Sequence, residues 1–479
     1  MSLYLLLNPS ADNPTMFSLR LSPSYGPVQL LSYLFAALLS INFFVFLNST
    51  QGFVLKDILN VEKDSLGTLS GSLVFWDQIV SLPAVYLWGL FSDVIGSYNV
   101  FALGFLIESV ALFCYPRATS FSMLLGFRLL FAVGGSATAS MLTAVLAHIA
   151  HEEDRGKLSG IVGLFAGCGA LLAVFVFLPL PNKYSDSVVG LNATYLLASV
   201  TAITISFIMI LSAAHRRWSN RSMATEPTAL NTSPDSTSPI VSTEEVKKSK
   251  LIDSIRDGFY AAKNPKVFLG YAACFLARSD SMAITLFLPI WVYKYYLEND
   301  LCPSSNTFDD SDIKSSCRPA YTKSSVITGV AQTFALIGAP VFGFLFDRFN
   351  RLRVVMTASL MAGLGYFLVG LLKSPMSPVI YIYLFLIGVG EIGLIVTSLG
   401  LVTHSSVPAH ARGSIAGFSS FFGALGVLVV SLLGGILFDI GMTGPFLLLG
   451  ALHLAFLILN LIVSVIVSRS TNSESPTPP

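Results

Sequence analysis

Long apolar runs separated by short polar breaks dominate the chain, and their spacing predicts its elements. Twelve runs are long enough to cross roughly 30 Å of hydrocarbon as helices. They fall at about residues 28–47, 67–92, 99–115, 121–147, 157–179, 193–213, 267–293, 324–346, 353–372, 378–402, 413–438 and 444–468. One break is much longer than the others, at residues 214–266, and it divides the runs into six and six. The pattern predicts an all-α integral membrane protein with twelve transmembrane helices in two six-helix pseudo-repeat halves. Its divisions are an N-terminal segment 1–27, a first half 28–213, a central loop 214–266, a second half 267–468 and a tail 469–479. Leu3–Leu7 is too short for the apolar core of a secretory leader, and Asn8, Pro9 and Pro14 interrupt it, so no cleaved leader is expected.

The halves repeat each other's punctuation. Gly89-Leu-Phe-Ser-Asp93-Val-Ile-Gly96 and Gly343-Phe-Leu-Phe-Asp347-Arg348-Phe-Asn-Arg351 each set an aspartate four residues after a glycine, where an apolar run gives way to a polar turn. Arg155-Gly156-Lys-Leu-Ser-Gly160 and Arg412-Gly413-Ser-Ile-Ala-Gly417 form a second pair at nearly the same offset, about 254–257 residues. A half-chain repeat in an apolar chain points to a transporter built from related halves.

Composition narrows the class. The chain is 53% hydrophobic and 11% charged, with a mean hydropathy of +0.71, too little charge to cover a soluble protein of this length. A net charge of +1 gives no reason to expect a nucleic-acid partner. With both termini on one side, that side gathers 17 Lys and Arg against 9 on the other, much of the excess in the central loop. The termini are therefore expected to be cytoplasmic. Plasma and vacuolar or endosomal membranes fit equally well.

In the central loop, Asn220 to Thr243 is rich in Ser, Thr, Pro and Asn and reads as a tether. Residues 246–262 place Leu251, Ile252, Ile255 and Phe259 on one helical face, the pattern of an amphipathic helix lying on the membrane surface. Cys302 and Cys317 flank an acidic loop on the non-cytoplasmic side, where they could close a disulfide. No metal-ligand spacing, cofactor motif or nucleophile–base pair occurs, so neither a metal, a cofactor nor an enzyme is expected. Asn48-Ser-Thr50 and Asn192-Ala-Thr194 are acceptor sequons close to the non-cytoplasmic face.

The paired Gly-x-x-x-Asp turns, the twelve runs, the long middle loop and the Arg-Gly starts of runs 5 and 11 resemble the major facilitator superfamily over about residues 28–468. Arg128-Leu-Leu-Phe-Ala-Val-Gly134-Gly135-Ser-Ala137 is similar to the family's span-4 motif, with Phe131 where a polar residue is usual. In the first turn Ser97-Tyr98-Asn99 replaces the family's usual basic residues. The resemblance implies a central cavity lined by spans 1, 4, 7 and 10. It also implies a latch between halves from Gly89, Asp93, Gly343, Asp347, Arg348 and Arg351. In physical terms, each glycine admits a close helix, each aspartate offsets a facing helix N-terminus, and the arginines bridge to it.

Ionisable residues at membrane depth are expensive and mark function by default. Asp77, Glu108, Arg278, Asp280 and Glu391 lie near the middle of their runs and Arg128 nearer the external side. The substrate or proton pathway is expected among Glu391, Asp280, Arg278, Arg128 and Asp77, whereas Glu108 reads as structural. Arg278 and Asp280, two residues apart, point about 200° from each other, so one should meet the cavity and the other a neighbouring helix. Glu391, with Gly388 and Gly390 beside it, could carry a proton, or it could be a permanent partner of Arg278. The expected function is secondary transport of a small organic solute by alternating access with proton coupling, for which a monomer suffices. A facilitative uniporter and a non-transporting receptor on the same scaffold are the alternatives. Whether the solute is an anion or a cation stays open.

Overall fold

The computed structural model describes residues 21–22, 25–149, 155–184, 186–224, 259–302, 317–402 and 412–473. Within them the chain forms twelve membrane-crossing helices and is a multi-pass membrane protein. The first half contains α1 (Pro27–Phe53), α2 (Leu66–Ile95), α3 (Ser97–Cys114), α4 (Phe121–Ile149), α5 (Arg155–Leu172) and α6 (Ser187–Ala224). The second half contains α7 (Pro265–Glu298), α8 (Arg318–Arg348), α9 (Arg351–Gly370), α10 (Ile380–Val402), α11 (Arg412–Ile440) and α12 (Gly444–Ser473). Most of the expected amphipathic helix at 246–262 lies outside the described residues, as do the side chains of Asp93 and Asp347.

The punctuation read from sequence has visible local causes. Gly96 joins α2 to α3 at φ +90°, a backbone conformation that a side chain makes costly. Asn350 caps α9 by accepting from the Leu352 N–H at 3.1 Å, and Asn264 caps α7 from Lys266 at 3.0 Å. The first span runs further than the apolar pattern predicted. Asn48, Ser49, Thr50 and Gln51 continue the helix with their side chains buried; each meets a partner on another helix, with Asn48 Nδ2 left unpaired. Asn48 is therefore enclosed by protein, and Asn192 sits within α6 donating to the Val188 carbonyl. Neither sequon presents a loop acceptor.

Cys302 and Cys317 form a disulfide between the end of α7 and the start of α8. We call that face the disulfide side and the opposite one the terminal side. The contacts that join the two halves through Ser49, Phe53, Asp57, Gly67, Thr68, Val174 and Asn182 lie toward the disulfide side. α2 runs against α11 with Gly67 and Gly71 facing Ser431 and Gly435; a Cβ on Gly67 would stand 2.6 Å from the Gly435 oxygen. α5 runs against α8, where Ser325 donates to the Val174 carbonyl and Gly329 faces Phe175. These seams are pseudo-symmetric. The repeat offset carries Gly71 onto Ser325 and Ser431 onto Val174.

Three spans pass into π turns at this seam: the first at Val54–Ile58, directly after α1, the fifth at Ala173–Phe177, directly after α5, and the seventh at Ala283–Phe287, within α7. A π turn breaks the i→i+4 ladder and so releases backbone polar groups to outside partners. Each contributes to closure. Asp57 in the first accepts from Tyr321 at 2.6 Å and from Tyr293. Val174 in the second accepts from Ser325. Thr285 in the third accepts from Ser49 at 3.0 Å.

On the terminal side the halves part. Gly89 of α2, Gly160 and Gly163 of α5 and Gly343 of α8 would meet nothing within 4 Å if given a Cβ. The latch glycines are thus not points of close approach in this conformation. Arg348 and Arg351 lie over aromatic rings of their own neighbourhood, 5.9 Å from the Phe344 centroid and 5.2 Å from that of Phe346.

Candidate functional site: two buried polar networks and a seam

In the first half, α4 carries Arg128 into the protein rather than toward the gap. Its guanidinium is fully buried and donates through Nε to Asp77 Oδ2 at 2.7 Å, with Nη2 2.6 Å from the same oxygen. Nη2 also donates to Asn48 Oδ1 at 2.7 Å, and Nη1 to Gln51 Oε1 at 3.2 Å. Gln51 in turn donates to the Ser70 carbonyl at 2.8 Å. One arginine therefore joins α1, α2 and α4. Asp77 and Arg128 neutralise each other here, and the expectation of cavity access for Arg128 is corrected. Glu108 on α3 accepts from Thr138 at 2.9 Å, with its second oxygen unpartnered.

The second half holds a different set. Asp280 on α7 accepts from or pairs with His453 Nε2 on α12 at 3.0 Å, and His453 Nδ1 lies 3.0 Å from Ser359 Oγ on α9. Tyr366 stacks on the His453 ring at 5.7 Å and donates to the Asp280 carbonyl at 3.2 Å. All four side chains are buried. Next along α7, Ser281 donates to Glu391 Oε1 on α10 at 2.6 Å. Glu391 Oε2 and Asp280 Oδ2 have no hydrogen-bond partner. No ion pair joins Glu391 to Arg278 among the described residues, so Ser281 is the partner found for this carboxyl group. Gly388 and Gly390 do not open space beside it. A Cβ on Gly390 would lie 2.5 Å from Ala362 N and 2.8 Å from Ala358 O of α9, so these glycines let α10 pack against α8 and α9.

Arg278 behaves unlike the other candidates. From Leu269 to Leu297 it is the single exposed residue of α7. Its aliphatic stem passes Gly423 of α11, whose Cβ would lie 2.8 Å from Arg278 Cγ.

Three positions in these networks escaped the reading of the sequence. His453 is one histidine in an apolar run, with no motif around it; its membrane depth alone could have flagged it. Asp57 and Asp439 sit near span ends, where carboxylates are unremarkable. Asp439 accepts from the Gly67 and Thr68 N–H groups, each at 2.7 Å. Those are first-turn donors of α2, and its own N-cap residue Ser65 turns away to bond the Glu62 carbonyl. The opposite half thus supplies the cap, and its negative charge suits the helix N-terminus. The repeat places Asn182 and Thr322 at the matching positions, and they too are bonded, at 2.9 Å. Asp439 makes, on the disulfide side, the kind of helix-terminus contact that the sequence pattern assigns to Asp93 and Asp347.

Comparison with known proteins places this architecture. A family model described as Major Facilitator Superfamily matches residues 28–306 and 318–478. The magnetosome protein MamH of Paramagnetospirillum magneticum is 22% identical over 455 residues, covering 92% of each chain. The magnetosome protein MamZ of the same organism is 25% identical over 413 residues, covering 84% of this chain, which spans 57% of MamZ's length. Among solved structures, the nucleoside transporter NupG superposes with a TM-score of 0.64 at 13% identity, covering 91% of this chain and 99% of NupG. At that identity the likeness is one of fold.

Proposed function

The chain belongs to the major facilitator superfamily, and from that membership we propose that it moves a small organic solute across the membrane by alternating access, coupled to protons. The observation that carries this reading is the asymmetry of contact between the halves. Two pseudo-symmetric seams close the disulfide side, while glycine-lined faces stand apart on the terminal side. A scaffold of two such halves alternates by rocking one against the other. Taking both termini as cytoplasmic on the Lys and Arg bias, which comes mostly from the central loop, we assign this conformation as inward-facing. Gly89, Asp93, Gly343, Asp347, Arg348 and Arg351 then form the latch that closes the cytoplasmic side in the opposite state.

Glu391 is the coupling residue we propose. It lies at membrane depth, is buried, and holds one oxygen on Ser281 and the other on nothing. A carboxyl group without a cationic partner is free to exchange a proton as the surrounding helices move. Asp77 is a weaker candidate, because Arg128 already occupies its Oδ2 with two guanidinium nitrogens.

The test is solute-driven proton movement in proteoliposomes, comparing wild type with Glu391→Gln over a chemically broad panel. The expected result is a solute that carries protons in wild type. In Glu391→Gln, proton movement should fall by at least about tenfold, the scale of a lost proton-transfer group, while solute counterflow persists. Solute flux with equal proton flux in both proteins would remove Glu391 from the coupling path. Saturable binding with no flux of solute or proton would replace transport with a sensing role.

A further inference from the structure

The second half contains a charged group that its own fold leaves unused. The ionisable residues at comparable depth, namely Asp77, Glu108, Arg128, Asp280, Glu391 and His453, are all buried. Among them the two cationic candidates are committed, Arg128 to Asp77 and His453 to Asp280. Arg278 is exposed and no hydrogen bond or ion pair engages its guanidinium among the described residues. An arginine keeps its charge in any protein environment, so this one must be answered by water or by a ligand.

Helix geometry tells where it points. Successive residues of a helix step round it by about 100°, and the three that follow Arg278 all turn to their own half: Ser279 Oγ lies 2.8 Å from where a Cβ on Gly426 of α11 would stand, Asp280 meets α9 and α12, and Ser281 meets α10. Arg278 takes the remaining direction, away from the other helices of its half. Asp280 points the other way, into α9 and α12. Span 7 is the most buried of the twelve, with 83% of its apolar window inside the protein. An exposed side chain on it faces the gap between halves rather than lipid. Ser281, three residues on and so beside Arg278 on the helix surface, is half-buried and bonded to Glu391.

We propose that Arg278 is the docking group for a small organic oxyanion, a carboxylate or a phosphate, held in the gap between the halves. A guanidinium presents a planar fork of donors that matches either group in two parallel hydrogen bonds. The gap offers no exposed carboxylate at this depth to a cationic solute among the described residues. This deepens the transport reading and rests on it only for the claim that the anion crosses the membrane.

The experiment uses the full-length protein in zwitterionic-lipid vesicles, so that no anionic headgroup fills the site. Radiolabelled succinate, citrate and glycerol phosphate serve as oxyanion probes, with sorbitol and choline as neutral and cationic controls. Binding is read on the solubilised protein and flux on the vesicles, for wild type, Arg278→Lys and Arg278→Gln, each checked for an unchanged thermal unfolding midpoint. At least one oxyanion should bind saturably. Its affinity should drop roughly 30-fold or more in Arg278→Gln and about 3–10-fold in Arg278→Lys, where charge remains but the fork is lost. The carboxylate and phosphate probes separate the two chemistries. An oxyanion bound equally by wild type and Arg278→Gln overturns the inference, as does saturable binding of sorbitol or choline alone or of no probe at millimolar concentration. Arg278-dependent binding without flux leaves the anion site standing and removes the transport reading instead.

Discussion

Arg128→Ala should destabilise the first half by about 3–5 kcal/mol, the cost of leaving a buried carboxylate without its partner. The loss reaches beyond one ion pair. Asn48 and Gln51 would lose their shared donor, and α1, α2 and α4 the side chain that ties them. Thermal unfolding of the purified protein and the fraction recovered as a monodisperse species would report it. A second variant separates charge burial from packing. Asp77→Leu combined with Arg128→Met removes both charges and keeps much of the volume, and replacement of a buried pair by apolar groups is often neutral. The double variant should therefore be clearly more stable than Arg128→Ala. Equal instability of the two would mean that the hydrogen bonds to Asn48 and Gln51, rather than the unpaired carboxylate, account for the loss.

Gly71→Val should hold the disulfide side open. The site has no room for even a Cβ, which would collide with the Ser431 carbonyl of α11. Main chain cannot swing aside as a long side chain can, so the helices must separate. Separation strips the Gly67 and Thr68 N–H groups of their Asp439 acceptor, so the steric change and the lost cap act together. Spin labels on cysteines at Glu62 and Gly441 should report a longer distance in the variant. Net solute transport should fall by at least about tenfold, because closing each side in turn is obligatory to the mechanism. Unchanged distances with unchanged transport would show that the seam yields elsewhere. Gly89→Val is the control for the distance readout alone, since nothing lies within 4 Å of that position in the present conformation; as a latch position it is not a control for transport.

The twelve crossings, the division into halves and the repeat were legible in the sequence because each depends on signals within one segment: run length, punctuation and offset. The turn at Gly96 and the cap at Asn350 belong to the same class. Partnerships across helices were not legible. Nothing local to α12 marks His453 as the partner of Asp280, and nothing near Asn48 states that a polar stretch at a span end will be buried by Arg128 from α4. Gly388 and Gly390 illustrate the same boundary. A glycine beside a carboxylate reads equally as an open site or as a packing contact, and only the backbones of α8 and α9 decide for contact. The facing directions of Arg278 and Asp280 fall between these cases. Their angular separation follows from helix geometry, but which of them meets the gap depends on where α9 and α12 lie.

The seam carries a consequence for how this sequence can drift. Three main-chain oxygens line it: those of Val174 and Thr285 accept hydrogen bonds, and that of Ser431 packs against Gly71. A carbonyl is present whatever residue occupies the position, so substitutions at 431, 174 and 285 leave the oxygen in place. The constraint falls on the facing partners Gly71, Ser325 and Ser49, which must stay small or keep a hydroxyl group. Tolerance of mutation should therefore be one-sided across each pair. A complete set of single substitutions scored for function would show restrictive positions facing permissive ones, and two halves could diverge widely while still closing on each other.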